Sequence, residues 1–459
     1  MATTSLRQPP GPKTPLQRIG SPGQLFAFRR DPTGFLLRMA EKYGDVAHMR
    51  FGPRNVTLLS NPADIETVLV SQNRKFIKGT ALQAARRVLG KGLLTSEGEF
   101  HLRQRRLIQP IFHRQRIADY GESMVRAAVA LSERWTDGQI LDIHGDMMAL
   151  TLAIVGKTLF GTDVEAEAAE IGEAMNGLMA AFFQINGPFG RWIEAFDLPP
   201  ARRSRAGQAR LYATVYRMIA EHRAAGDSGD LLSMLLAAQD EDGGPRMGDE
   251  QVRDEAMTLF LAGHETTANA LSWTWHQLSQ NPAAETRLHT ELDQVLIGRP
   301  AAMADLPRLT YTRMVLSEAL RLYPPAWVMT RLSVEPFEVG GYSLPAVSPV
   351  LMSQWVMHHQ ARYFPDPFEF RPERWTPEAE AKLPRFAYFP FGGGPRVCIG
   401  ESFAWMEGVL LMATLAQHWR MRAGPKQRIG LQPAITLRPK YGLEMRLERR
   451  AQTANQGRA

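Results

Sequence analysis

Cysteine is nearly absent: the 459 residues contain one, Cys398. That excludes an intrachain disulfide and a Cys-rich zinc site, and it fits a reducing compartment, most simply a cytosol. Long apolar runs are missing too. No window reaches the roughly 18 consecutive apolar residues of a membrane span, and the N-terminal MATTSLRQPPGPKTPLQR has no apolar core. Neither a transmembrane anchor nor a secretory signal is expected. With 22% charged and 44% apolar residues, wholesale disorder and low-complexity fibres are also excluded.

What charge there is leans basic, with a net +7. The basic residues come in short clusters, RQRR at 103–106, ARRSR at 201–205 and RLERR at 446–450. No RNP-like or zinc-finger signature accompanies them, so they read as solvated faces rather than a nucleic-acid surface.

Along the chain, 1–20 is Pro-rich and, with 449–459, reads as a flexible tail. Residues 45–60 read as two short strands around Gly52-Pro53-Arg54-Asn55. Helical periodicity dominates from about 62 to 323, with a break at INGPFGRW (185–192). Residues 337–356 are β-like, 360–395 is rich in Pro, Gly and aromatics, and a last helix covers about 400–418 before short strands. With no repeat and no clean linker, 1–459 is expected to form one large, mainly α domain with a small β-rich portion.

The lone cysteine lies in Phe391-Gly-Gly-Gly-Pro-Arg-Val-Cys398-Ile-Gly400, just before the last helix. A thiolate there gains from unsatisfied N–H groups and the helix dipole. Three glycines let the backbone approach something flat and bulky, and Arg396 offers charge to an anionic group. A lone cysteine also fits a small buried apolar residue. A second motif sits on the segment from Asp249 to Asn281, about 48 Å long at helical rise. Its centre, Ala262-Gly263-His264-Glu265-Thr266-Thr267, places a carboxylate and two hydroxyls in an apolar helix, which costs free energy unless they are paired. Thr266 can bond the carbonyl of Ala262 four residues back, opening a notch; taken alone, such a helix can equally be structural. His264-Glu265 is not a zincin HExxH, because position 268 is Ala.

Together these stretches resemble the cytochrome P450 superfamily. Phe391, Gly394, Arg396, Cys398 and Gly400 match its FxxGxRxCxG haem loop, and Ala262 to Thr267 match its (A/G)Gx(D/E)T(T/S) oxygen-activation motif. The resemblance implies a mainly α fold with a long central oxygen-binding helix, haem b with Cys398 as axial iron ligand, and O2 as co-substrate. It implies that Glu265 and Thr266 relay protons during insertion of one oxygen atom into the substrate. Glu318-Ala-Leu-Arg321 with Arg374 in FRPERW resembles the family's ExxR network, a structural role. Arg396, His101, Arg105 and Arg331 match propionate-binding positions, with His101 replacing the Trp of many relatives. The sequence departs from the pattern at Val347, where Gly is usual, and at Ala361, where Pro is usual.

The implied enzyme is a cytoplasmic, monomeric haem-thiolate monooxygenase. The chain carries no flavin or iron–sulfur domain, so electrons are expected from a ferredoxin or flavodoxin with an NAD(P)H-dependent reductase. The expected pocket walls (79–96, Phe182–Phe189, Leu259–Ala262, Ala326–Met329, Ala434–Thr436) are mostly apolar and favour a fatty acid, terpenoid or steroid-like molecule. Arg54 falls roughly where some fatty-acid hydroxylases bind carboxylate, but Leu58 replaces the accompanying Tyr. A peroxygenase or isomerase of the same fold typically lacks the acid–alcohol pair, and a haem-binding sensor would not require it.

Overall fold

The computed structural model describes residues 8–12, 22–51, 54–112, 114–161, 174, 190–226, 230–238, 246–424 and 427–451. The expected pocket wall Phe182–Phe189, the Gly52–Pro53 half of the first turn and most of both tails lie outside them.

Helices α1 (Pro22–Arg30) and α2 (Pro32–Tyr43) lead into strands β1 (Val46–Phe51) and β2 (Arg54–Leu59). Helix α3 (Pro62–Glu66) continues as a π-helical turn, Thr67–Ser71, before β3 (Phe76–Lys78). Then come α4 (Thr80–Leu89), α5 (Gly98–Ile108), α6 (Arg114–Arg134), β4 (Ile140–Asp142) and α7 (Ile143–Phe160). They are followed by α8 (Gly190–Ala195), α9 (Pro199–Ala225), α10 (Leu231–Ala237), α11 (Asp249–Gln280), α12 (Pro282–Leu296) and α13 (Thr310–Leu322). Strands β5 (Met329–Ser333), β6 (Phe337–Val339), β7 (Tyr342–Leu344) and β8 (Pro349–Met352) precede the short helices α14 (Gln354–His358) and α15 (Pro377–Glu380). Helix α16 (Glu401–Ala416) and strands β9 (Trp419–Ala423), β10 (Leu431–Pro433), β11 (Leu437–Pro439) and β12 (Glu444–Arg449) complete the chain.

Local chemistry sets many of these boundaries. Asp31 accepts from the Gly34 N–H ahead of Pro32, and Asn61 from the Ala63 N–H ahead of Pro62, so each cap is followed by a proline already shaped for a helix. The sequence reading took 349–356 as β throughout. Instead, Ser353 ends the strand by accepting from the Val356 N–H, and QWVMH turns helical.

The chain divides into two compact units. The first comprises 1–83, 317–398 and 431–438, and the second 84–316, 399–430 and 439–459. The first is built on a five-stranded sheet of order β1-β2-β8-β5-β3. Both faces are covered, because successive side chains alternate. Leu59, Val350 and Met352 join a cluster with Ile65, Leu69 and Phe389, while Leu58 and Leu351 join Phe35, Leu36 and Trp355. Burial of Leu58 in that core leaves the exposed Arg54 without the polar companion that a carboxylate site would use.

The second unit is helical around α11, which packs on α7, α9, α10 and α16. Gly263 faces α7 across a tight contact, since a Cβ there would stand 3.0 Å from Val155. Strands β4, β12 and β9 form a small antiparallel sheet beside it.

Candidate functional site

The cysteine loop belongs to the first unit. Cys398 N donates to Phe391 O and Val397 N to Gly394 O, both at 3.0 Å, so the ten-residue motif closes on itself. Gly392 (φ +74°) and Gly394 (φ +68°) occupy the left-handed region that side chains avoid. A Cβ on Gly393 would stand 2.4 Å from the Phe386 ring, and one on Gly392 would meet Met329 at the start of β5. Arg331, two residues along that strand, is buried, and its Nη1 donates to Thr330 O at 3.0 Å. Arg396 is half-buried and the Cys398 thiol is exposed. An exposed thiol on a loop of bare backbone, with two guanidiniums on the same unit, fits a flat anionic macrocycle ligated through sulfur. Among the described residues no group of three or more His, Cys, Asp or Glu could hold a metal ion by themselves.

Beneath this loop lies an ion network. Arg321 grips Glu318 through Nε and Nη2, both at 2.8 Å, and its remaining N–H bonds reach His358 O, Pro367 O and Glu369 O. Glu318 in turn accepts from Arg371 N, Arg374 Nε and Trp375 Nε1. The pair is fully buried, which is tolerable only because so many of its hydrogen-bonding groups are satisfied. The network continues upward: His358 Nε2 accepts from Phe389 N, two residues before the loop opens. Burial holds the His358 pKa well below the ordinary histidine value, as an accepting ring nitrogen requires. Sequence reasoning missed Trp375 and His358, although FRPERW contains the first.

The other expected residues lie in the second unit. Along the middle of α11 nearly every side chain is buried, yet Ala262 is exposed and Gly263 and Thr266 are partly accessible. Thr266 Oγ1 donates to Ala262 O at 2.8 Å, and helical geometry is unbroken through the motif. Glu265 is buried next to this accessible strip. His101 is buried on α5 and Arg105, one turn on, is half-buried, while Arg106 is exposed. Gly400 precedes α16 as its N-terminal cap. A further titratable group escaped the sequence reading. Glu407 on α16 is fully buried, and burial pushes its carboxyl up to about 8. An acid inside the apolar ESFAWMEGVLLMATLA was the available signal.

Two of the three basic clusters carry ion pairs where they stand. Arg202 and Arg205 share Asp197, Arg446 pairs with Glu448, and Arg450 pairs with Asp293. No described helix is long and apolar enough to cross a membrane.

Comparison with known proteins agrees with the motifs. The chain is similar to cyclooctatin synthase of Streptomyces melanosporofaciens, 43% identical over 90% of this chain and 91% of that protein. It is 39% identical to cyclooctat-9-en-7-ol 5-monooxygenase of the same organism, over 88% of each. Pentalenene oxygenase of Streptomyces avermitilis is 35% identical, covering 88% of this chain and 90% of the relative. The family model for cytochrome P450 matches residues 9–443. The chain therefore belongs to the cytochrome P450 family and is a haem-dependent monooxygenase that uses O2 and separately supplied electrons to oxygenate a lipophilic substrate.

Proposed function

We propose that Cys398 ligates the haem iron and that the substrate is a cyclic terpenoid alkene or alkenol. The carrying observation is the thiol's exposure on a glycine loop that the Glu318–Arg321 network braces from below. The terpenoid assignment draws on the names of two relatives, which oxygenate pentalenene and cyclooctat-9-en-7-ol. The apolar Leu259–Ala262 stretch beside Thr266 is compatible with such a molecule.

The haem supplies oxygen activation and electron storage. The protein's own groups do the rest. Arg331, Arg396, His101 and Arg105 hold the propionates, and Phe391, Gly394 and Gly400 shape the loop against the ring. Thr266, its hydroxyl turned toward Ala262 O, receives and passes protons at Oγ1, with Glu265 as the acid that replenishes them. Ala262 leaves room for O2 beside that hydroxyl. Glu318, Arg321 and Arg374 keep the loop in place. Residues 1–459 are read as a single haem domain, a reading supported by the family match across 9–443. The enzyme is a cytoplasmic monomer fed by a ferredoxin or flavodoxin and its NAD(P)H-dependent reductase.

The test is spectral and catalytic. The reduced, CO-bound protein should show the far-red-shifted thiolate band, and Cys398→Ala should lose it. Cyclic terpenoids should displace water from the ferric haem and be hydroxylated in the presence of ferredoxin, reductase and NADPH. Thr266→Ala should keep consuming NADPH while product falls and peroxide rises. A thiolate band that persists in Cys398→Ala refutes the ligand assignment, and tight binding of fatty acids in place of terpenoids refutes the substrate class.

A further inference from the structure

The π-helical turn Thr67–Ser71 contains one residue more per turn than α-helix, an uncommon geometry that concentrates at functional places. It is pinned at both ends. Gln72 N donates back five residues to Thr67 O at 2.9 Å, Asn73 Nδ2 donates to Val70 O at 2.5 Å, and Thr67 Oγ1 bonds Ala63 O at 2.9 Å. This turn packs on the short turn Gly394–Arg396 within the same unit. The approach is backbone to backbone: a Cβ on Gly394 would stand 1.9 Å from Leu69 O and 3.6 Å from Val70 Cα. Phe386 and Met329 close in on Gly393 and Gly392, so the loop has little room to retreat. Any shift of Gly394 passes to Cys398 through the Val397 N→Gly394 O bond and the intervening peptides.

We infer that the π-turn Thr67–Ser71 is a strut: its Leu69 carbonyl sets the height of Gly394 and hence the position of Cys398 Sγ against the haem iron. Leu69, Val70 and Asn73 are thus positioning residues. The inference rests on the reading of Cys398 as axial ligand. Deleting one residue returns the turn to α-helical pairing, i to i+4 in place of i to i+5, while the flanking segments stay nearly in register. The change is confined to the carbonyls of the turn, and it draws the Leu69 carbonyl into the helical ladder and off the loop.

The experiment compares haem-loaded wild type, the Ser71 deletion, Gly394→Ala, their double variant and Asn73→Ala. Readouts are the Fe–S stretch by resonance Raman and the thiolate-to-thiol ratio of the CO complex, with helix content as a folding check. Gly394→Ala should shift that ratio toward thiol by about tenfold, the size expected of one strained backbone contact. The deletion should lower the Fe–S stretch. The double variant should lose less than the product of the two single effects, because the methyl no longer meets the carbonyl. Asn73→Ala, which loosens the strut without shortening it, should move both readouts in the same direction and serves where the deletion does not fold. Native values in the deletion, or in Asn73→Ala if the deletion fails to fold, overturn the strut, as do independent effects in the double variant. Wild-type protein lacking a thiolate band would overturn the axial-ligand reading itself, a distinguishable failure.

Discussion

Glu407 offers the sharpest energetic test of the fold. Its carboxyl is fully buried on α16, and neither oxygen has a hydrogen-bond partner of good geometry among the described residues. Burial pushes its pKa from 4.5 up to about 8, against a smaller downward pull from the Thr267 hydroxyl. In the unfolded chain the same group ionises near 4.5. Between these values the folded protein keeps a proton that the unfolded chain has released. Stability therefore falls as pH rises through this window, by up to ~1.4 kcal/mol per pH unit. By about pH 7 the accumulated cost is ~3 kcal/mol. Glu407→Gln preserves the shape and removes the titration. Because a buried amide must satisfy a second N–H, the expected gain at about pH 7 is nearer ~2 kcal/mol, fading toward pH 4.5. Urea unfolding of the two haem-loaded proteins, followed by tryptophan fluorescence across this pH range, measures the difference. A gain that grows with pH is the expected result. Parallel stability curves would mean that Glu407 is ionised and paired in the folded protein, refuting the argument.

Three further outcomes follow from the geometry. Val347 is a β-branched residue held at φ +62° in an exposed turn between β7 and β8, so Val347→Gly should raise stability by about 1 kcal/mol in denaturant unfolding even after glycine's extra chain entropy. Arg321→Met strands the Glu318 carboxylate in the core and should cost about 3–5 kcal/mol, with haem loss in gel filtration preceding global unfolding. Arg103→Glu and Arg106→Glu on α5 should slow first-electron transfer from an acidic carrier, with a rate that depends on salt, while substrate affinity stays native; stopped-flow reduction decides.

How legible each feature was in the sequence follows from the range of the interaction behind it. The Cys398 loop and the Ala262–Thr267 motif could be read directly because their chemistry is local: the Thr266 bond spans four residues, and the loop closes over seven. The β1–β2 hairpin and the long α11 were equally legible, the first from the turn residues Gly52-Pro53-Arg54-Asn55 and the second from its length between Asp249 and the Asn281-Pro282 stop. Glu318 and Arg321 were visible only as a pair three residues apart, a spacing that usually means a weak surface contact. What makes them a buried hub is the set of carbonyls at His358, Pro367 and Glu369, 37 to 48 residues downstream, which no periodicity announces. The misread QWVMH fails for the opposite reason, since a segment buried on every side carries no alternation to separate strand from helix.

The π-turn was invisible for a third reason, because Thr67–Ser71 is an ordinary apolar string whose extra residue acquires meaning only against Gly394, more than 300 residues away. The glycine itself was legible as a family position, but the carbonyl that forbids its side chain was not. A motif therefore records which residue a site requires, and the partner that imposes the requirement has to be found in the fold. At Gly394 that partner is backbone, so no side-chain identity at position 69 would have disclosed it.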